Sequence, residues 1–269
     1  MEADIILRKV DKAPTEDAQT EASVSAQNKK LSSVSVVFPA YNEETNIEMT
    51  VLKAIGAFKR HFETVEIIVV NDGSSDGTRD ILERLRQEHE EVRPIHHVQN
   101  KGYGGAVRTG LKSGRGDFIF FSDSDGQFDL EEVDLLLRHI NEYDIVVGYR
   151  AQRADPWHRK LNAYCWGTLV RYLFGIRVRD IDCAFKIFRR DFIQSIRIEA
   201  EGAMINTEIL AQAGMMHCTI KQVPVSHYPR LSGSATGANP LVIFKAFVEL
   251  FNLYGKLKAT GYKELQTKA

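Results

Sequence analysis

Cysteine is nearly missing from this chain. Cys165, Cys183 and Cys218 are scattered, odd in number and form no CxxC pair. That pattern argues against a disulfide framework and for a reducing compartment. Long apolar runs are also missing. No stretch reaches the ~18 apolar residues of a membrane span, and the N-terminus has no sustained apolar segment beside a cleavage site. The expectation is a cytoplasmic protein, soluble or peripheral on the cytoplasmic face of a membrane. Overall charge of one sign is absent too: 35 Lys and Arg stand against 36 Asp and Glu, a net of −1. No P-loop Gly-Lys-Ser/Thr occurs, and no stacking platform or helix-turn-helix pattern speaks for nucleic acid. Eight histidines are present, yet His96 and His97 adjoin in a predicted strand, where neighbours leave from opposite faces. A metal shared by that pair is not expected.

Apolar content is poor at the start as well. After Ile5, Ile6 and Leu7, the tract 11–30 is polar and lacks aromatics. Such a segment cannot bury enough surface to offset its chain entropy, so residues 1–32 read as a disordered tail. The rest of the 269 residues, with 43% hydrophobic side chains, suffices for one large α/β domain or two small ones.

What is present is a regular alternation. Strands are predicted at Val34–Phe38, Glu66–Val70, Val92–Val98, Phe118–Phe121 and Asp144–Tyr149. Between and behind them lie helical patterns at 44–62, 79–90, 106–112 and 130–141. Asn42 and Thr45 supply capping oxygens for the first helix, and Ser75 or Asp76 for the second. This order predicts βαβ units and a mostly parallel sheet flanked by helices, with right-handed crossovers. Beyond Arg150 the alternation breaks. Trp157–Phe174 reads as a helix mixing aromatic and basic residues, the composition of an interfacial helix or of a core helix with one wet side. Two acids, Asp180 and Asp182, precede a strand-like segment. A helix at 201–216, a strand at 219–228 and an amphipathic helix from Asn239 to Tyr254 follow. Between Val147 and Arg190, ten Arg and Lys stand against three acids, which points to an anionic partner for that third.

The densest chemistry lies in Phe118-Ile-Phe-Phe-Ser-Asp123-Ser-Asp125-Gly-Gln127. An unbroken apolar run is a strand covered on both faces, and open α/β sheets bind ligands at strand carboxyl ends. Asp123 and Asp125, one residue apart, leave from the same face of extended backbone. With Gln127 as a neutral oxygen donor they suit Mg²⁺ or Mn²⁺; a plain Asp/Ser/Gly turn is the other reading. The turn Asn100-Lys101-Gly102-Tyr-Gly-Gly105 has two readings as well. It brings backbone amides and Lys101 to a phosphate or sugar, or it simply starts a helix.

Taken together, Phe-Pro39-Ala40-Tyr41-Asn-Glu43, Val-Val-Asn-Asp72-Gly-Ser-Ser-Asp-Gly-Thr, Asn-Lys-Gly-Tyr-Gly-Gly-Ala and Asp-Ser-Asp-Gly-Gln resemble a family 2 glycosyltransferase with the GT-A fold. The subgroup most similar is the dolichol- or polyprenyl-phosphate mannose synthases and their bacterial relatives. The resemblance covers residues 33–235, leaving 236–269 as a C-terminal amphipathic helix and tail. It implies that Pro39, Ala40, Tyr41, Glu43 and Asp72 bind the nucleoside, with Lys101 and Gly102 beside the donor. It implies that Asp123, Asp125 and Gln127 hold the metal and diphosphate, that Arg150 is catalytic, and that Arg159 and Arg230 hold a lipid phosphate or the leaving diphosphate. One position departs: the basic residue that the family places after its late Gly-Ser is Ala235 here.

The implied activity moves a hexose, mannose or glucose, from a GDP- or UDP-sugar to a polyprenyl or dolichyl phosphate at a membrane surface, with inversion. A lipid phosphate is already ionised and needs no strong base. A hydroxyl acceptor needs a carboxylate, for which Asp182, Asp180 and Glu208 are candidates. Two other readings carry less. A nucleotidyltransferase would show a glycine-rich basic loop after the first strand, where Pro39-Ala-Tyr-Asn stands. A non-catalytic scaffold would not need Asp123, Asp125, Gln127 and Arg150.

Overall fold

The computed structural model describes residues 30–151, 157–202, 204–229 and 247–259. The expected N-terminal tail, Arg230, Ala235 and the start of the C-terminal helix lie outside them. So does the side chain of Arg159.

The chain runs β1 (Leu31–Ala40), α1 (Ile47–Lys59), β2 (Phe62–Asn71), α2 (Thr78–Glu88), β3 (Val92–His96), α3 (Gly102–Ser113) and β4 (Phe118–Ser122). A 3₁₀ turn at Leu130–Glu132 leads into α4 (Val133–Leu137) and β5 (Ile145–Arg150). Then come α5 (Trp157–Phe174), β6 (Phe185–Arg189), α6 (Arg190–Ser195), α7 (Ile205–Met215) and β7 (Ile220–Val225). A last helix, α8, occupies 247–259. Among the described residues seven strands form one sheet in the order β3-β2-β1-β4-β6-β5-β7.

Parallel pairing joins β1 to β4, β2 to β3 and β5 to β7. The strand-like segment after Asp182 becomes β6, which runs antiparallel between β4 and β5 with Ser122 opposite Phe185. Apolar periodicity cannot tell the two directions apart. The consequence reaches the site. Because β6 starts where β4 ends, the segment 180–184 that feeds it lies beside the acidic end of β4.

All five residues of β4 are buried, as its solid apolar run requires. Phe120 packs against Phe58 of α1 and Phe185 of β6, each with ring centroids 4.9 Å apart. Winding outward from β1 proceeds through β2 and β3 on one side and through β4 on the other. The carboxyl ends of β1 and β4 therefore flank the point where strand order reverses, which is where such sheets leave a crevice.

The helix caps differ from expectation. The first helix starts at Ile47 behind Asn46, with no side-chain cap bond. Asn42 adopts φ 57° and turns its Oδ1 to the Ser75 amide, while its own N–H donates to Ser74 Oγ. It braces the neighbouring loop instead of capping α1. Asp76 does take the Thr78 N–H and hydroxyl at the mouth of α2.

Candidate active site

Four strand ends converge on one cleft. Pro39, Ala40, Tyr41 and Glu43 follow β1, Asp72 follows β2, and Asn100, Gly102, Tyr103 and Ala106 belong to the β3–α3 turn. Asp123, Ser124 and Asp125 follow β4 and close a cavity of about 360 Å³. The structure thus brings together eight of the residues singled out from sequence: Pro39, Ala40, Tyr41, Glu43, Asp72, Gly102, Asp123 and Asp125.

Short hydrogen bonds fix the floor. The Asp72 N–H donates to Ala40 O at 2.9 Å, tying the end of β2 to that of β1. Ser124 Oγ donates to Pro39 O at 2.7 Å, and Thr50 Oγ1 of α1 donates to Ser124 O at 3.1 Å. Ser124 therefore points down into the fold. Asp123 and Asp125, on either side of it just beyond the end of β4, line the cleft. Asp72 is buried, and its Oδ1 accepts the Lys101 N–H at 2.9 Å. His97 Nδ1 lies 2.6 Å from the same oxygen, and Nε2 lies 3.0 Å from Thr109 Oγ1. A carboxylate only accepts, so Nδ1 carries the proton. His96 diverges to Asn71 and Glu83.

Asp125 is buried and its Oδ1 accepts the Gln127 N–H at 3.1 Å. Asp123 Oδ1 accepts the hydroxyl of Tyr103 at 2.8 Å. Burial, and then that carboxylate, push the Tyr103 phenol well above its usual range, so it remains a donor. Gln127 anchors its amide nitrogen on Tyr228 O at 2.9 Å. Two hard carboxylates on one cleft wall fit Mg²⁺ or Mn²⁺, with phosphate and water oxygens to complete the shell. Among the described residues no cluster of three or more His, Cys, Asp or Glu could hold a metal by itself.

The glycine turn begins α3, and its Gly102 also lines the cleft. The N–H of Lys101 goes to Asp72, that of Gly102 to Asn100 Oδ1 at 2.9 Å, and that of Gly104 to Glu201 O at 2.7 Å. A Cβ on Gly104 would stand 2.6 Å from Ala200 O and Glu201 C, so this glycine admits the 200–202 backbone. Lys101 lines an adjoining cavity of about 530 Å³ with Arg108, Glu201 and Glu249. Glu208 secures the covering segment: its carboxylate accepts the Glu199 and Ala200 amides at 2.8–3.0 Å. Burial raises its pKa above the ordinary value despite those amides. As a candidate base it is already engaged.

Arg150 ends β5 in a bidentate pair with Asp180, Nε to Oδ2 and Nη2 to Oδ1, both at 2.7 Å. Burial opposes the guanidinium charge, but the Asp180 pair outweighs it and holds the pKa above the ordinary value. Asp182, two residues on, is exposed, and its charge bears on Arg150, Tyr103 and Lys186. Tyr103, His97, Lys186 and Asn206 are the residues that reading the sequence left without a role. For Lys186 one signal existed, a single cation inside the apolar run Phe-Lys-Ile-Phe.

Comparison with known proteins follows the same line. The yeast dolichyl-phosphate beta-glucosyltransferase is 32% identical over 221 residues, covering 72% of this chain and 66% of that enzyme. Its human counterpart is 30% identical over 238 residues, covering 80% and 73%. Glycosyltransferase AglD of Haloferax volcanii is 31% identical over 207 residues, and the match spans only 33% of its length. Among solved structures, glucosyl-3-phosphoglycerate synthase from Mycobacterium tuberculosis with phosphoglyceric acid superposes with a TM-score of 0.66 at 20% identity, over 91% of this chain and 86% of that one. At that identity the likeness establishes the GT-A fold. The family model for glycosyl transferase family 2 matches residues 35–197, most of the described sheet, and the chain belongs to that family.

Proposed function

We propose that this protein transfers a hexose from a nucleoside-diphosphate sugar to a polyprenyl phosphate at a membrane surface, inverting the anomeric centre. The observation that carries the reading is the single cleft into which β1, β2 and β4 deliver Pro39–Glu43, Asp72 and the Asp123/Asp125 pair. Support for the acceptor comes from relatives that are dolichyl-phosphate glucosyltransferases and from an undecaprenyl-phosphate sugar transferase of Proteus mirabilis, 31% identical over 170 residues. Support for the donor comes from the mycobacterial synthase in complex with Mn²⁺ and UDP-glucose.

In this reading Pro39, Ala40, Tyr41, Glu43 and Asp72 receive the nucleoside. Asp72, its Oδ1 held by Lys101 N–H and His97, is oriented before the base arrives. Asp123 and Asp125 would hold Mg²⁺ or Mn²⁺, which when bound neutralises the departing diphosphate. Gln127 stands behind Asp125. Arg150, as a guanidinium, keeps its charge at any working pH, and Asp180 holds it in place. It contributes a fixed cation, as Arg159 and Arg230 would for the lipid phosphate. An ionised phosphate acceptor attacks without a general base.

Transfer to a sugar or glycan hydroxyl is the second reading, and one observation favours a specific base for it. Asp180 pairs with Arg150 and Glu208 with the 199–200 amides, and Asp182 is exposed with its charge bearing on Tyr103 and Arg150. Contact with a bilayer falls to α5 and α8. No helix of the described residues is long and apolar enough to cross a membrane. However, α8 exposes Phe247, Val248 and Phe251, and α5 exposes Tyr172.

The test is incubation with UDP-glucose or GDP-mannose, Mn²⁺ and polyprenyl phosphate, followed by mass spectrometry of the lipid. The expected product is a hexosyl phospholipid, lost by at least about 100-fold in Asp125→Ala. Product on a sugar hydroxyl alone would move the assignment to the second reading.

A further inference from the structure

The buried carboxylate at the end of β2 offers the cleft only one of its oxygens. Asn71 pairs with His96 where β2 and β3 end, and the His97 N–H donates to Asn71 O at 2.9 Å. Asp72 and His97 follow side by side, each with 4% of its side chain exposed. His97 Nδ1 lies 2.6 Å from Asp72 Oδ1, and the Lys101 N–H reaches the same oxygen at 2.9 Å. A carboxylate oxygen has two lone pairs, and on Oδ1 both are taken. Among the described residues no donor meets Oδ2, and Asp72 lines the cleft. Oδ2 is the acceptor left for a ligand.

The ring is anchored at its far side as well. His97 Nε2 lies 3.0 Å from Thr109 Oγ1, whose hydroxyl reaches Gly105 O at 2.9 Å on α3. An apolar side chain would fill the same buried place with no polar group to satisfy. What the imidazole adds is a donor, and that donor fixes which carboxylate oxygen faces outward.

Nucleobases differ in what they ask of such a group. Uracil presents one N–H between two carbonyls, and a single oxygen satisfies it. Guanine presents two adjacent donors, N1–H and the 2-amino group, matched to both oxygens of a carboxylate. With Oδ1 taken, one of these donors goes unpaired, and an unpaired buried group is what lets a polar site discriminate.

We propose that His97 determines nucleotide specificity: by occupying Asp72 Oδ1 it leaves a one-acceptor site that selects a uridine donor over a guanosine one. This rests on the reading of Asp72 as part of the nucleoside site and names the class of donor. His97 acts through Asp72 and is a positioning residue.

The test is calorimetry of UDP, GDP and inosine diphosphate on the full-length protein with Mn²⁺. Inosine lacks only the 2-amino group of guanosine, so that comparison holds the size of the base constant. Wild type should bind UDP at least about 10-fold more tightly than GDP, and GDP no more tightly than inosine diphosphate. His97→Leu frees a lone pair on Oδ1. GDP should then gain about 10-fold on inosine diphosphate, and the preference for UDP should shrink. His97→Asn, which keeps a side-chain donor, should restore the wild-type order. A merely structural role for His97 would weaken all three nucleotides alike. Should His97→Leu fail to fold, Thr109→Val, which removes the ring's second anchor, stands in with the same direction of change. Wild-type preference for GDP over inosine diphosphate, or ratios unmoved in a folded variant, overturns the inference and leaves the transferase reading standing. Absence of any nucleotide binding to the wild-type protein overturns both.

Discussion

Arg150 and Asp180 show how one side-chain pair serves two ends. The bidentate geometry secures the cation proposed for catalysis and also compensates a carboxylate that is 9% exposed. Arg150→Ala therefore takes the bidentate partner from a buried carboxylate, at a cost of about 3–5 kcal/mol. Urea denaturation should register that loss, and activity should be compared at matched folded fractions. Arg150→Lys, a point charge without the fork, should retain part of the stability. Cysteines offer a second check at this scale. Burial pushes the Cys183 thiol up to about 12, so iodoacetamide at neutral pH should modify exposed Cys165 and spare Cys183 until the protein unfolds. Labelling of Cys183 in the native state would contradict the packing described. Sequence made the Asp123/Asp125 pair legible because both follow directly on one solid apolar run. Lys186 stayed illegible because its meaning depends on which way β6 runs and on a residue of α7 brought beside it.

At the scale of elements, two contacts carry predictions. Gly104 admits the 200–202 backbone against the start of α3. Gly104→Ala should cost about 1–3 kcal/mol, since backbone on the other side cannot rotate away. The measurement is a denaturation midpoint, and an unchanged midpoint would mean the segment sits elsewhere. At the foot of β5, Asp144 accepts the Thr219 N–H and hydroxyl, both at 2.8 Å, and staples β5 to β7. Those bonds, the backbone one foremost, lower its pKa below 3.8. A lowered folded pKa contributes stability that is fully present above the unfolded value and is lost as pH falls through the folded one. Wild-type stability should therefore decline more steeply below pH ~4 than that of Asp144→Asn, read by acid titration of circular dichroism. Strand and helix order was legible because apolar period and turn residues are local. Asn42 was misjudged because a propensity for caps cannot see the loop at 74–76 that claims its side chain.

For the molecule as a whole, the basic third and the aromatic helices meet. Trp166 of α5 packs against Phe247 of α8 with centroids 5.2 Å apart, and Phe174 against Tyr254 at 5.7 Å. These contacts join the two helices proposed to face a bilayer. Co-sedimentation with phosphatidylglycerol-containing vesicles should exceed that with phosphatidylcholine alone, and Phe251→Glu should reduce it severalfold. Equal sedimentation of both proteins would remove α8 from the proposal. Sequence composition foreshadowed this surface but could not say whether the apolar side of α5 faces solvent or protein. That depends on α8 lying against it.

The seating of the 199–202 segment has one more consequence. The amides of Lys101, Gly102 and Gly104 are all engaged within the protein, so three donors at the start of α3 are already committed. Fewer amides there remain for a departing nucleoside diphosphate, so in the proposed reaction more of the compensation falls on the ion and the arginines. Stripping divalent ions with EDTA should extinguish turnover instead of merely slowing it, and added Mn²⁺ should restore it.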